Sequence, residues 1–346
     1  MGIVGAGAAA TAAAFVIDRT VPDATVTVVE KSGGLCGRAA TRRHGDLTYD
    51  YGANYVKSDD ERVVGLLTDT LDGEGLVDVT EPIYTFDGSG AVAPGRDADE
   101  HKWSYRAGLT QIAKRLFARA DATVHRRTRV EGIARDSGAG DGTWSLTDAD
   151  GGTWGPFDAV VLNPPAPQSA ALLREADWES PARGALADAA AAVDYRTVWT
   201  AVLHYEFPLD RPYYALVNAD KNHPVGWISR EECKAGHVPD GETLLVVQAN
   251  HDWSARRYDR DPAENVAALA AHAAGIVGDD RLADPDWTDH QGWRYALPEA
   301  GVAGGPVDSA EAEGLYPAGD WVAGEARLHA ALANGLDVGE RLAYAL

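Results

Sequence analysis

The sequence predicts an α/β fold in which a parallel sheet flanked by helices is joined to a second domain built on an antiparallel sheet. Two observations predict the first part. The chain opens with a short β-prone run, a glycine turn and an alanine-rich helix, and the next β-prone run ends in an acid at Glu30. The second part is predicted by residues 197–205, 225–229 and 243–249, which alternate like strands of one sheet.

The opening stretch is MGIVGAGAAATAAAFVIDR, in which Asp18 is the first charged side chain. A secretion signal would need a basic region ahead of its apolar core, and a membrane-spanning helix would need about 20 mostly apolar residues. Neither condition is met. The remaining interpretation is a strand at Ile3 and Val4, a tight glycine turn, and a helix that carries Phe15 and Ile17.

The spacing of small residues in this turn is typical of a dinucleotide site. Gly5 permits the turn, Gly7 lets a pyrophosphate approach the backbone, and the small Ala10 lets helix and strand pack closely. The helix start near Ala8 offers free N–H groups to the anion. Glu30 follows 20 residues after Ala10, where an acid would bind a ribose hydroxyl, although a solvated carboxylate at a strand end is the alternative.

Composition excludes several partners. The net charge is −22, from 53 acidic and 31 basic residues, and such a surface repels nucleic acid and anionic membranes. The acids are spread along the whole chain, which favours a high-salt cytoplasm of the haloarchaeal kind. Cys36 and Cys233 are too few for a disulfide framework, and no group of Cys and His has metal-ligand spacing. We therefore expect a reduced, cytoplasmic protein without a structural metal.

A second glycine-rich loop, KSGGLCGRAATRR, follows Glu30 directly, and YDYGANY repeats the theme at residues 49–55. Glycine lets the backbone come close to a ligand, and Arg38 and Arg42 would supply fixed cations beside a pyrophosphate. The predicted cofactor-binding residues of these two segments are Lys31, Gly37, Arg38, Thr41, Arg42, Gly52, Ala53, Asn54 and Tyr55.

In this order the motifs resemble those of the flavin amine oxidase superfamily and, within it, of the renalase-like proteins. Their pattern has GxGxxG, an acid that closes the second strand, GGRxxTRR and a DxGAxY segment. The resemblance continues through residues 103–116, 157–168 and 244–254 to YPAGDW at residues 316–321. It implies FAD as the cofactor and the two-domain, Rossmann-like FAD-binding fold of flavin amine oxidases, with an antiparallel-sheet substrate domain.

The expected domain organisation follows from these segments. Residues 1–55, 99–170 and 286–346 are assigned to the FAD-binding domain, and residues 56–98 and 171–285 to the substrate domain. Within them we predict helices over residues 110–120, 262–277 and 328–344, a strand over 123–133, a turn over 136–142 and a hairpin over 144–154.

The resemblance also implies further contacts with FAD. Val130 would lie near the adenine, Asp320 would accept from ribityl or backbone donors, and backbone amides near the C-terminal helix would face the flavin O2 edge. The implied residues are Val130, Trp293, Gly319, Asp320, His329, Ala330 and Ala331. The chain departs from the pattern at Ala10, where a third glycine is usual, at Gln248, where renalase-like chains frequently have His, and at His329, where the family often has an acid.

Four side chains of the predicted antiparallel sheet, which would roof the flavin, are candidates for substrate contact: Tyr205, Trp227, Gln248 and Asn250. For each, ordinary packing or solvation is the alternative. His204 would point to the opposite face from Tyr205, away from the flavin. We expect Lys234 to be an exposed loop lysine and Cys36 to be a small apolar loop residue rather than a covalent flavin attachment.

The resemblance predicts an FAD-dependent oxidoreductase that passes a hydride from a small molecule to flavin N5, with O2 as the expected acceptor. Isomers of dihydro-NAD(P) are the expected donors, because a dihydropyridine already holds a transferable hydride and needs mainly alignment. Two alternatives stay open: an amine oxidase or isoprenoid desaturase, and a non-catalytic flavoprotein. A monomer or homodimer is expected.

Overall fold

The computed structural model describes residues 1–71, 73–95, 100–136 and 142–346. Its first layer is a five-stranded parallel sheet in the order β19-β13-β1-β2-β9. The strands are β1 (Gly2–Val4), β2 (Val26–Glu30), β9 (Ala122–Arg126), β13 (Val160–Leu162) and β19 (Leu315–Pro317). The predicted strand–turn–helix start is confirmed, since β1 runs into α1 (Ala8–Thr20) and pairs with β2.

Helices α1, α3 (Thr110–Arg119) and α10 (Leu328–Ala345) pack together on this sheet around an alanine-rich core. Helices α1 and α10 approach so closely that a Cβ on Gly335 would lie 2.2 Å from the carbonyl oxygen of Ala9. Small residues are therefore required at this crossing. The predictions of α3 and α10 are confirmed, each to within one residue.

The other face of the parallel sheet carries a three-stranded antiparallel sheet and three helices. The strands are β10 (Val130–Asp136), β11 (Thr143–Asp148) and β12 (Thr153–Phe157), and the helices are α4 (Ala166–Arg174), α5 (Pro181–Ala191) and α8 (Gly304–Glu311). The predicted hairpin is confirmed as β11 and β12. The single strand predicted over residues 123–133 is wrong: the chain turns at Arg127, which has φ of 59°, and splits into β9 and β10 in different sheets. Residues 137–141 of the predicted turn lie outside the described residues.

A seven-stranded sheet in the order β18-β14-β17-β16-β15-β6-β7 forms the second large unit. The strands are β6 (Ile83–Phe86), β7 (Val92–Ala93), β14 (Tyr195–Tyr205), β15 (Ala215–Asn218), β16 (Val225–Arg230), β17 (Thr243–Ala249) and β18 (Trp287–Pro298). The three predicted strands are confirmed as the antiparallel neighbours β14, β17 and β16. Helices α6 (His251–Arg257) and α7 (Pro262–Val277) cover one face, and α7 has its predicted bounds.

The remaining elements connect these units. They are the hairpin of β3 (Thr41–His44) and β4 (Leu47–Asp50), the pair of β5 (Leu76–Asp78) and β8 (Trp103–Tyr105), and the short helices α2 (Glu61–Gly65) and α9 (Asp320–Ala323). Three segments pack differently from our expected domain assignment. Strand β18 is an edge of the seven-stranded sheet, whereas α2 packs on the α1 core and α5 on the three-stranded sheet.

Candidate functional site

The turn between β1 and α1 leaves a helix start open to an anion. Helix α1 begins at Ala8, and its N-cap residue Gly7 makes no side-chain capping bond; the first turn carries no acid. The N–H groups of a first helical turn have no partners within the helix. Gly5 and Gly7 are partly exposed between buried β1 and buried α1, so a ligand can reach the turn. We call the surface formed by this turn, by Arg38 with Asp320 and by the start of α10 the groove.

The carboxylate of Glu30 lies directly at this turn. Its Oε2 accepts a hydrogen bond from the Ala6 N–H at 2.7 Å, and its Oε1 accepts one from the Ser32 N–H at 2.6 Å. The residue is only 7% exposed, so it is not the solvated strand-end acid of the alternative interpretation. Each carboxylate oxygen has a second lone pair that could accept from a sugar hydroxyl.

Arg38 joins the second glycine loop to the C-terminal motif. Its two terminal nitrogens donate to the two carboxylate oxygens of Asp320 at 2.8 and 2.7 Å, and one of them also donates to the Ala296 carbonyl at 2.8 Å. Asp320 is the first residue of α9 and is buried. A bidentate pair of this kind fixes both groups in one plane, so two motifs 282 residues apart form one rigid corner of the groove.

Arg42 is engaged by side chains of β18 and of the second glycine-rich segment, and its place beside a pyrophosphate stays a prediction. Its guanidinium donates to Asp289 Oδ2 at 2.9 Å and to Gln291 Oε1 at 2.7 Å, and it stacks 4.2 Å above the Tyr51 ring. Burial would raise the pKa of Asp289, but hydrogen bonds from Tyr49 and Arg42 outweigh it and leave the pKa lowered. Arg42 thus connects the β3–β4 hairpin to β18.

Two other predicted cofactor residues are engaged elsewhere. The hydroxyl of Thr41 donates to Asp50 Oδ1 at 2.6 Å and accepts from the Thr110 N–H at 3.1 Å, so it connects β3 to β4 and α3. The ammonium of Lys31 is exposed and donates to Gln168 Oε1 at 3.0 Å.

Residues 52–55 lie between the Arg38 corner and the seven-stranded sheet. The Ala53 N–H donates to the Arg38 carbonyl at 2.9 Å, and the Gly52 carbonyl accepts from Gln248 Nε2 at 2.7 Å. A Cβ on Gly52 would lie 2.1 Å from the Arg38 carbonyl oxygen, so only glycine fits. All four residues of the segment, Gly52, Ala53, Asn54 and Tyr55, are half-buried.

The sheet side chains nearest this segment, Thr200, Trp227 and Gln248, are uncharged, and one of them is aromatic. Gln248 is the cross-strand partner of both Thr200 and Trp227. The Trp227 ring lies 6.4 Å from Tyr55 and 6.2 Å from Tyr214, measured between ring centroids. Trp227 Nε1 and Thr200 Oγ1 are buried and have no hydrogen-bond partner among the described residues. We call Tyr55, Tyr214 and Trp227 the aromatic wall.

The prediction of substrate contact is wrong for Tyr205 and unsupported for Asn250. Tyr205 is fully buried on the opposite face of β14, packed under α7, and its hydroxyl donates to the Leu282 carbonyl at 2.7 Å. Asn250 caps α6: its Oδ1 accepts from the Trp253 N–H, and its Nδ2 donates to the His223 carbonyl. His204 consequently lies on the face toward the hairpin, against our expectation, where it pairs with Glu242 at 2.7 Å.

The C-terminal segment supplies a second open helix start. Helix α10 begins at Leu328 without a side-chain cap and without an acid in its first turn. Ala330 and Ala331 belong to that turn, and His329 Nε2 lies 3.4 Å from Glu325 Oε1. Gly319 donates its N–H to Asn334 Oδ1 at 2.8 Å, which holds the loop ahead of α9 against α10.

The last two predicted cofactor residues, Trp293 and Val130, lie in different sheets. Trp293 stacks on Tyr51 at 5.2 Å between ring centroids and donates from Nε1 to the Tyr51 carbonyl at 3.2 Å. Val130 is the first residue of β10, at an irregularity in its pairing with β11.

Sequence reasoning missed a cluster of four titratable side chains, Asp50, Glu231, Lys234 and His237, none of which is exposed to solvent. We call it the buried network. The prediction of an exposed Lys234 is wrong, since its ammonium lies 3.0 Å from Asp50 Oδ2 and 2.9 Å from Glu231 Oε1. The three-residue spacing of Glu231, Lys234 and His237, which suits one side of a helical turn, was the available signal.

Within the described residues the carboxylates and imidazole of this network are the one group whose ligand atoms converge as a metal would require. The Lys234 ammonium bonds both carboxylates and so supplies the cation. No helix of the described chain combines the length and the apolar character that crossing a bilayer would demand.

These residues fit FAD. Two uncapped helix starts can accept anionic groups, Glu30 can accept from the adenosine ribose, and Arg38 is fixed by Asp320. The buried Trp321 Nε1 beside Gly319 is a donor without a partner in the part of the chain that the structure describes. A buried polar atom that lacks a partner in the protein favours a ligand that supplies one.

Comparison with known proteins agrees with this geometry. Residues 3–70 match the model of the NAD(P)-binding Rossmann-like domain, and residues 83–343 match that of the flavin containing amine oxidoreductases. A protein from Exiguobacterium sp., provisionally named protoporphyrinogen oxidase, has a TM-score of 0.80 at 16% identity, over 100% of this chain and 98% of that one.

Two amine oxidases are similar over nearly their whole lengths. A putrescine oxidase variant has a TM-score of 0.76 at 12% identity, covering 100% of this chain and 98% of that one. Cyclohexylamine oxidase from Brevibacterium oxydans has a TM-score of 0.74 at 14% identity, covering 99% and 98%. At these identities the likeness is one of fold.

Proposed function

The chain belongs to the family of flavin containing amine oxidoreductases and is an FAD-dependent oxidoreductase; on that premise we propose that it is a renalase-like oxidase of small molecules. The proposed donors are reduced nicotinamide rings, such as isomers of dihydro-NAD(P), with O2 as the acceptor. The observation that carries the proposal is the neutral sheet face opposite residues 52–55, formed by Thr200, Trp227 and Gln248.

When bound, FAD supplies the acceptor for a hydride at N5 and passes the electrons on. The chain's own residues then have to bind, align and exclude water. Arg38 and Asp320 fix the groove, and the two helix starts would stabilise negative charge on the cofactor. Gln248 is held by Gly52 and therefore aligns the substrate sheet with the 52–55 segment.

A donor that needs no deprotonation fits this surface best. A protonated amine must lose a proton before it is oxidised, and that step calls for an acceptor of protons near the substrate. Among the described residues the one fully buried lysine, Lys234, is already bound by two carboxylates. A dihydropyridine asks only for stacking and alignment, which Tyr55 and Trp227 can supply.

The second candidate is oxidation of a small amine. The aromatic wall favours it, because a substituted ammonium group is attracted to the faces of Tyr and Trp rings. The likeness to two amine oxidases is consistent with this candidate, although it concerns the fold.

The first experiment is an absorbance spectrum of protein purified in molar salt, followed by anaerobic titration. The donors are 2- and 6-dihydro isomers of NAD(P)H on one side, and putrescine and cyclohexylamine on the other. Bleaching of the flavin bands by the dihydro isomers, with recovery and peroxide on admitting air, supports the proposal. Bleaching of the flavin bands by amines alone favours the second candidate, oxidation of a small amine. Flavin bands that no donor bleaches favour a non-catalytic flavoprotein.

The remaining proposals concern the setting. The uniform acidity supports a high-salt cytoplasm, for which activity and melting temperature should rise from low to molar KCl. We propose a monomer or homodimer, which light scattering can measure. We also propose that the chain is divided into a cofactor domain and a substrate domain with the cleft between them.

A further inference from the structure

We infer that the buried network is a charge-balanced positioning device in which His237 is held as the imidazolium. Its four side chains come from β4 and from the turn after β16, so it joins the cofactor side of the fold to the substrate sheet. Through Asp50 and Tyr214 it sets the position of the 52–55 segment and of the aromatic wall.

The hydrogen bonds that Asp50 accepts show that its carboxyl group is ionised. Its Oδ1 accepts from the Thr41 hydroxyl at 2.6 Å and the Leu109 N–H at 2.9 Å. Its Oδ2 accepts from the Ser104 hydroxyl at 3.0 Å and from Lys234 Nζ at 3.0 Å. Four donors fill the four acceptor positions of a carboxylate and leave none for a proton.

His237 faces an acceptor at each ring nitrogen. Nδ1 lies 2.9 Å from Glu231 Oε2, and Nε2 lies 2.9 Å from the carbonyl oxygen of Tyr105. A neutral imidazole can donate from only one nitrogen. Because Glu231 Oε2 already accepts from the Asp50 N–H and from Lys234, the arrangement requires a proton on both nitrogens of His237.

The charges then balance within the network. Two carboxylates face one ammonium and one imidazolium, and all four side chains are shielded from water. A buried charge is tolerated only when it is paired and hydrogen-bonded, and removal of one partner leaves the other uncompensated. Each of the four groups therefore depends on the other three.

Two connections lead from the network to the site. Asp50 precedes Gly52 by two residues. Two hydrogen bonds from the backbone of β4 hold this strand against the network: the Thr48 N–H donates to the His237 carbonyl at 2.7 Å, and the Asp50 N–H donates to Glu231. Tyr214 is fully buried beside the network: burial raises the pKa of its hydroxyl, and the charges of Lys234, Glu231 and Asp50 also act on that pKa. Its ring contacts Tyr55 and Trp227, and its hydroxyl donates to the Asn54 carbonyl at 3.4 Å. A shift of the network thus moves the surface that a substrate would contact.

The charge state is tested on the FAD-loaded wild-type protein labelled with ¹⁵N-histidine. At about pH 8 an ordinary histidine, with a pKa of about 6.5, is neutral. We expect one ring, absent from the spectrum of His237→Gln, to show protons on both nitrogens. A neutral ring at His237 would overturn the charge assignment, and this arm does not depend on the proposed function.

The positioning role is tested by a cycle of His237→Gln, Glu231→Gln and the double variant. If the imidazolium balances the charge, His237→Gln alone should raise KM at least tenfold with FAD content retained, or fail to fold. The double variant, which removes one charge of each sign, should recover folding and part of that loss, so the two effects are not additive. The control is His101→Gln, an exposed pair with Asp78, which should leave KM unchanged.

The KM measurements need a donor and therefore rest on the proposed function. The measurements of folding and of the histidine spectrum do not. Strictly additive variants, or a His237→Gln enzyme with the wild-type KM, would overturn the positioning role. If no donor turns over but the cycle remains non-additive in stability, the proposed function fails while the charge-balanced network stands.

Discussion

Replacement of Gly52 by alanine tests whether the contact between residues 52–55 and Arg38 is as tight as the structure has it. The new Cβ would lie 2.1 Å from the Arg38 carbonyl oxygen, a backbone atom, and 3.2 Å from the Trp293 ring. Gly52 has no positive φ, so the collision is the main effect. The segment has to move away from Arg38, from Gln248 or from both.

The magnitude follows from what that movement breaks. Insertion of a methyl group into a packed site costs about 1–3 kcal/mol. Each of the two hydrogen bonds that hold the segment, from Ala53 N–H and from Gln248, contributes about 0.5–1.5 kcal/mol. We therefore expect Gly52→Ala to lower the free energy of unfolding by about 2–6 kcal/mol. With about 2.1 cal/mol/K per residue over 346 residues, this lowers Tm by roughly 3–8 °C.

The assay is urea unfolding followed by tryptophan fluorescence, together with the visible absorbance of FAD retained after purification. The matched control is Gly184→Ala in α5, where a Cβ meets nothing within 4 Å. That change should stabilise the protein by about 0.5–1 kcal/mol. An unfolding midpoint of Gly52→Ala equal to that of the wild type would refute the reasoning.

Three further predictions concern the site and its surroundings. Tyr205→Phe should leave kcat/KM unchanged, because the ring lies on the far face of β14, while the free energy of unfolding falls by about 1–3 kcal/mol through the unpaired Leu282 carbonyl; a changed kcat/KM would restore the sequence-based assignment. The hydrogen bonds from Arg281 lower the pKa of Asp279 to about 2, so this carboxylate stabilises the fold above about pH 4 and loses that effect as the pH falls toward 2. Melting curves of Asp279→Asn should lack this part of the acid decline, and parallel curves for both proteins would contradict it. Burial raises the pKa of Cys36 to about 12, so we expect no reaction with a thiol reagent in the native protein and no FAD attached to the denatured chain in mass spectrometry.

The sequence predicted the fold because the decisive signals were local. The turn at Gly5 and Gly7, the alternation of residues 197–205 and the helical pattern of residues 262–277 each depend on residues that are close to one another in the sequence. Those segments are confirmed with nearly the predicted bounds. The split of residues 123–133 was missed because it depends on one left-handed residue, Arg127, and on two different sheets that receive the halves.

The local sequence does not determine which side of a strand faces the cofactor. Alternation places Tyr205 and His204 on opposite faces, but it does not say which face is packed under α7. A shift of one residue in that assignment exchanges every side chain, which is why Tyr205 was chosen and Thr200 was not. Gln248 and Trp227 lie on the face that meets residues 52–55, and their contact with a substrate stays a prediction.

By itself the sequence determined the Rossmann-like start, the order of the elements and the family to which the chain belongs, since glycine spacing and hydrophobic periodicity are properties of neighbouring residues. Only the tertiary structure decided that Arg38 pairs with Asp320 and that Arg42 binds Asp289 of β18. It also decided that Lys234 is buried among Asp50, Glu231 and His237. The physical reason is that a charge has no preferred partner along the chain. It is paired by whichever groups the packing of distant segments brings within about 3 Å after water has been removed.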